Sequence, residues 1–191
     1  VPGILSPSFC SIEEYLGRNT PRYYDVLAQV GQGNWHPAND ATPWVRFILT
    51  AHVRQVRTIL RRIHDSEEIW TQLEDLAKTL GFPERSIPTL FDATLGYRIR
   101  NATYRAVAFE YDEVEISDAT ASRDLRRLVE VGLLRPVGEK RGRYYLATQG
   151  LAAIRQLVVA AHDPRDDTDP FATPASVQSQ QPSLFGSAHA G

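Results

Sequence analysis

The sequence predicts a mainly α-helical protein with one small β-hairpin. Three observations carry that expectation. Apolar residues recur at helical spacing through most of residues 11–161. The segment LLRPVGEKRGRYYLA, 133–147, instead reads as two short strands around a glycine-bounded turn. From Asp163 onward the composition shifts to Pro, Ser, Asp, Gln and Ala, the signature of a disordered tail. The resulting division is 1–64 for a first helical segment, 65–85 for a helical linker, 86–162 for a compact module and 163–191 for the tail. No internal repeat is present.

Each element has its own signal. SIEEYLGRNTPRYYDVLAQV opens with Ser11 and Glu14 at capping-box spacing, and Pro21 kinks or restarts the helix. GQGNWHPANDAT is a loop. Thr42 is a suitable cap, with Pro43 at the first helical position of PWVRFILTAHVRQVRTILRRIH. Trp44, Phe47, Ile48, Ala51, Val56, Ile59, Leu60 and Ile63 form its broad apolar stripe. DSEEIWTQLEDLAKTLG reads as a further capped helix ended by Gly81 and Pro83, which puts His64–Asp65 at a helix junction. Two shorter helices are expected near 87–95 and 102–110, and a last one near 148–161.

SDATASRDLRRLVEVGLLRPVGEKRGRYYL, 117–146, is the most informative stretch. Ser117 caps a helix that Gly132 ends. Ala121, Leu125, Leu128 and Val129 share the inward face. Thr120, Arg123, Arg127 and Glu130 lie opposite, with Arg126 at the edge. Arginine grips guanine through two hydrogen bonds, and Ser or Thr at a helix start binds phosphate. Lys140, Arg141 and Arg143 then cluster at the tip of the hairpin, where positive charge displaces counterions from a nucleic-acid backbone. Helix, helix, glycine stop, strand, basic turn and strand is the winged helix-turn-helix order. The candidate DNA contacts are Ser117, Thr120, Ser122, Arg123, Arg126, Arg127, Lys140, Arg141 and Arg143. A competing use of such a module is dimerisation or docking of a protein. Asp118, Asp124 and Glu130 dilute the basic patch, and EYDEVE just upstream is acidic.

Composition bounds the rest. The chain has 191 residues and a formal net charge of −2, so affinity for nucleic acid or an anionic membrane must come from a local patch. It has one cysteine, Cys10, which excludes an intrachain disulfide and a multi-cysteine metal site and fits a reducing cytoplasm. No apolar run is long enough to span a membrane. The chain contains no methionine and starts VPGILSPSF, so a fragment or processed product is expected.

The front half, SPSFCSIEEYLGRNTPRYYDVLAQVGQGNWHPANDATPWVRFILTAHVRQ, resembles the C-terminal part of a Fic (filamentation induced by cyclic AMP) domain. The residues that carry the resemblance are Ser11, Tyr15, Asn19, Tyr23, Tyr24, Leu27, Trp44, Phe47 and Leu49. Many Fic proteins carry a winged helix behind this domain, so the resemblance extends over residues 3–147. It implies a Fic-type helical segment in which Tyr23, Tyr24, Trp44 and Phe47 pack. Fic enzymes transfer AMP from ATP to protein hydroxyls through a motif of the form H-x-F-x-[D/E]-G-N-G-R-x-x-R. None of His36, His52, His64, His162 or His189 is followed by it. In the family that motif precedes the matched region. The resemblance therefore implies no catalytic residue, metal ligand or cofactor in this chain, and ATP with Mg²⁺ only for a longer parent. It also implies uncovered apolar helix faces, hence a homodimer or other self-association.

The remaining signals have plainer readings. Asp166, Asp167 and Asp169 are tail carboxylates without a frame, and Cys10 lacks a basic partner. QPSLF resembles the peptide with which bacterial proteins bind the DNA sliding clamp, through Gln181, Leu184 and Phe185.

Overall fold

The computed structural model describes residues 11–33, 36–113, 115–139, 142–162 and 169–171. Among them are seven α-helices and one antiparallel pair of strands, the mainly helical fold with a small hairpin that the sequence predicts. In chain order they are α1 (Glu13–Arg18), α2 (Thr20–Gly31), α3 (Thr42–Thr79), α4 (Ile87–Thr94), α5 (Asn101–Asp112), α6 (Asp118–Glu130), β1 (Leu134–Val137), β2 (Tyr144–Ala147) and α7 (Gln149–Ala160). A 3₁₀ turn, Glu84–Ser86, precedes α4. The chain divides into two compact units, residues 1–58 with 165–191, and residues 59–164.

In the first unit the aromatic residues of the three helices pack together. Tyr23 meets Trp44 edge-on at 5.6 Å between centroids, and Tyr15 lies 6.1 Å from Phe47. Phe47 and Ala51 are buried beneath them. Tyr24 departs from the expected packing: it touches the edge of Tyr23 but is 62% exposed, because it falls one residue off the inward face of α2. Leu27, Val45, Leu49 and Val56 are exposed as well. Pro21 restarts the chain as α2, as expected. The start of α1 is shifted by one from a capping box. Ser11 Oγ accepts from the Glu13 N–H at 3.1 Å, while Glu14 pairs with Arg18 at 2.9 Å. At the start of α3, Asp40 is the capping side chain, accepting from the Thr42 N–H at 2.9 Å. Hydrogen bonds from Thr42 hold the Asp40 carboxyl below its ordinary pKa.

The expected junction at His64–Asp65 does not exist. α3 runs unbroken for 38 residues, about 57 Å at roughly 1.5 Å per residue. The two residues at the expected helix start, Asp65 and Ser66, have other partners. Ser66 Oγ donates back to the Arg62 carbonyl at 2.8 Å, and Asp65 pairs with His162 beyond α7. α3 ends where expected, with Gly81 in a left-handed conformation.

In the second unit one hydrophobic core joins the end of α3 (Ile69, Leu73, Ala77), α4 (Leu90, Ala93), α5 (Tyr104, Ala108), α6 (Ala121, Leu125, Leu128), β1 (Leu134) and α7 (Leu151, Val158). Truncating a fully buried member such as Leu128 to Ala costs about 2–5 kcal/mol. β1 and β2 pair from Leu134↔Ala147 to Val137↔Tyr144. The chain between α4 and α5 adds a further rung: Ile99 and Tyr145 exchange two backbone bonds, of 3.0 and 2.8 Å. Helix α4, bridging residue, helices α5 and α6, then hairpin is the winged helix-turn-helix arrangement. Two glycines are required by it. Gly132 closes α6 at φ +75°, with Leu133 N–H reaching the Leu128 carbonyl. At Gly138 a Cβ would meet the Gly142 carbonyl oxygen at 3.2 Å.

Candidate nucleic-acid interface

The site is built on α6. Ser117 is its N-cap, accepting from the Thr120 N–H at 3.1 Å, and the two hydroxyls share a 3.0 Å hydrogen bond. The inward face is Ala121, Asp124, Leu125 and Leu128, all buried. That rotation turns Arg123 and Arg126 outward, with Glu130 beside them.

Asp124 corrects the sequence reading, which had it diluting the surface patch. It is 4% exposed and anchors the helix from within. Its Oδ2 accepts from Arg85 Nε at 3.0 Å, Arg85 Nη2 at 2.9 Å and the Tyr104 hydroxyl at 3.0 Å. Burial opposes the charge on Arg85, but the bond and attraction to Asp124 leave its pKa above the ordinary value. Burial also pushes the Tyr104 hydroxyl up to about 12. α6 is thus bolted to the 3₁₀ turn and to α5 by three donors on one carboxylate.

The predicted contacts separate into three groups. Ser117, Thr120, Arg123 and Arg126 lie at the start or on the outward face of α6, and Arg143 is exposed just before β2. Ser122 faces inward to the helix-turn-helix, where its Oγ accepts from Asn101 Nδ2 at 2.8 Å. Arg127 is exposed but also touches the scaffold. Its guanidinium lies 4.7 Å over the Phe82 ring and donates to the Gly81 carbonyl at 3.4 Å. Lys140 and Arg141 lie outside the described residues, as do Gln181, Leu184, Phe185 and Cys10.

The sequence reading missed Arg98 and Arg100. Both are exposed and flank the buried Ile99, so alternation turns them to the outer side of the sheet. Arg98 lies 5.0 Å over the Tyr144 ring. Arg135 on β1 is exposed too. A bridging strand of one residue is too short to leave a periodic pattern, but two arginines around a lone isoleucine were visible as Arg-Ile-Arg.

Among the described residues no three His, Cys, Asp or Glu side chains come together to hold a metal ion. No described helix is long and apolar enough to cross a membrane. No family model, curated protein or solved structure matches the chain.

Proposed function

We propose that the winged helix binds double-stranded DNA and serves as a regulatory module, with α6 entering the major groove. The observation that carries this reading is the pair Arg123 and Arg126 on the outward face of a helix whose rotation is fixed by Arg85, Asp124 and Tyr104. Those arginines read base edges, and Ser117 and Thr120 meet phosphate at the helix start. Arg143, with Lys140 and Arg141 just before it in the sequence, meets the flanking backbone. No reaction is assigned to this chain.

The test is fluorescence anisotropy of the full chain with labelled duplexes over a salt series, beside Arg123→Ala/Arg126→Ala. Binding that weakens with salt and with the double change supports the reading; no binding at low salt overturns it. Docking of a protein is the second reading, and the exposed Leu157 and Val159 on α7 favour it.

The resemblance of residues 3–147 to Fic proteins forms part of the same proposal. The packing of Tyr15, Tyr23, Trp44 and Phe47 agrees with it. AMP transfer would then belong to a longer parent, and finding the histidine motif encoded directly upstream is its test.

A further inference from the structure

The bridging segment between α4 and α5 links the two ends of the DNA-binding surface. At one end, Asn101 Nδ2 donates to the Asp118 carbonyl at 3.1 Å and to Ser122 Oγ at 2.8 Å, which sets Arg100 beside the start of α6. In the middle, Ile99 is held to Tyr145 by both backbone bonds. At the other end, Arg98 stacks on Tyr144, the first residue of β2 and the neighbour of Arg143. Arg98 and Arg100 thus flank a paired residue rather than standing on a free loop, one at the turn end of the hairpin and one near the start of α6. The carboxylates nearest in sequence to the two arginines are Asp92 and Glu110, six residues before Arg98 and ten after Arg100.

We propose that Arg98 and Arg100 form a second nucleic-acid contact, gripping the sugar–phosphate backbone of the duplex that α6 reads. The proposal rests on the reading of α6 as a DNA-binding helix. The contact is to phosphate. Guanidinium groups on the outer face of a sheet, one of them already stacked on a tyrosine, offer charge and fork geometry without a helix to carry them into a groove. It therefore adds affinity and salt dependence equally for every sequence, whereas Arg123 and Arg126 discriminate between sequences.

The experiment compares four full-length proteins on labelled mixed-sequence duplexes about two helical turns long. They are the wild type, Arg98→Gln/Arg100→Gln, Arg100→Gln alone and Arg123→Ala/Arg126→Ala. Each neutralised phosphate contact contributes about 0.9 to the slope of log affinity against log salt. The expected result is a slope reduced by about two for the Arg98/Arg100 pair and about one for Arg100→Gln, with the ranking of duplex sequences unchanged. Arg100→Gln leaves the Arg98–Tyr144 stack in place, so it reads the contact even where the double change loosens the hairpin. Wild-type slope and affinity in both Gln variants, with binding lost in Arg123→Ala/Arg126→Ala, overturn this inference and leave the reading of α6 standing. No duplex binding by the wild type overturns both.

Discussion

Arg85 and Asp124 are 39 residues apart in sequence and 2.9 Å apart in space. The pair is asymmetric: Asp124 is buried, while Arg85 keeps part of its side chain in water. Removing the carboxylate strands a cation that still has some solvent, and removes the acceptor of the Tyr104 hydroxyl. Asp124→Ala should therefore cost about 2–3 kcal/mol, below the full figure for a sealed pair. Thermal denaturation followed by circular dichroism should show a melting temperature lower by about 10 °C. Arg85→Met/Asp124→Leu should recover much of the loss, because neither charge is then left without its partner. A double variant no more stable than Asp124→Ala would mean that the carboxylate matters through Tyr104 and not through Arg85.

Arg123 and Arg127 are both arginines on α6, and their environments predict opposite phenotypes. Arg127 lies over Phe82 and reaches Gly81, so Arg127→Ala should lower stability by about 0.5–1 kcal/mol. Arg123 faces outward, so Arg123→Ala should leave stability within about 0.5 kcal/mol of wild type and weaken duplex binding. Urea denaturation and anisotropy on the same two proteins separate the roles. Equal loss of binding without loss of stability in both would put Arg127 on the duplex.

Ser117 stands at a helix start, as expected, whereas Ser66, beside the expected junction at His64–Asp65, lies inside a continuous helix. Ser117 accepts from the Thr120 N–H, so Ser117→Ala should cost about 1 kcal/mol. Ser66 donates to Arg62 inside a continuous helix, so Ser66→Ala should be neutral or slightly stabilising, given the higher helix propensity of alanine. A loss of about 1 kcal/mol in Ser66→Ala would restore the helix boundary at Asp65.

That contrast says why parts of the fold were legible and others were not. Where a capping residue, an amphipathic period and a stop glycine coincide, as over Ser117–Gly132, one structure satisfies all three. At Asp65–Ser66 the expected boundary had no stop glycine before it, and the same side chains found partners within the helix and just beyond α7. Asp124 was readable in principle. It sits three residues after Ala121 and four before Leu128, on the buried face, and its charge drew attention away from its position. What no local pattern held was its partner, since Arg85 reaches it only through the tertiary fold. The contacts of Arg127 were hidden for the same reason: helical spacing gives a direction, and only the chain just after α3 supplies Gly81 and Phe82 near it.

The half-buried carboxyl of Asp92 on α4 predicts a pH dependence. Burial, and then the nearby Glu110, raise its pKa above the ordinary aspartate value. The folded state therefore holds this proton more tightly than the unfolded chain does. The stability tied to it is fully present below the unfolded pKa and is lost as pH rises through the folded one, so at neutral pH the ionised Asp92 works against folding. Asn cannot ionise. Asp92→Asn should be more stable than wild type at neutral pH, with the gap closing as pH falls into the carboxylate range. Urea titrations of both proteins at neutral and mildly acidic pH read this directly, and a gap that widens on acidification would reverse the sign and show that Asp92 is stabilised as an anion.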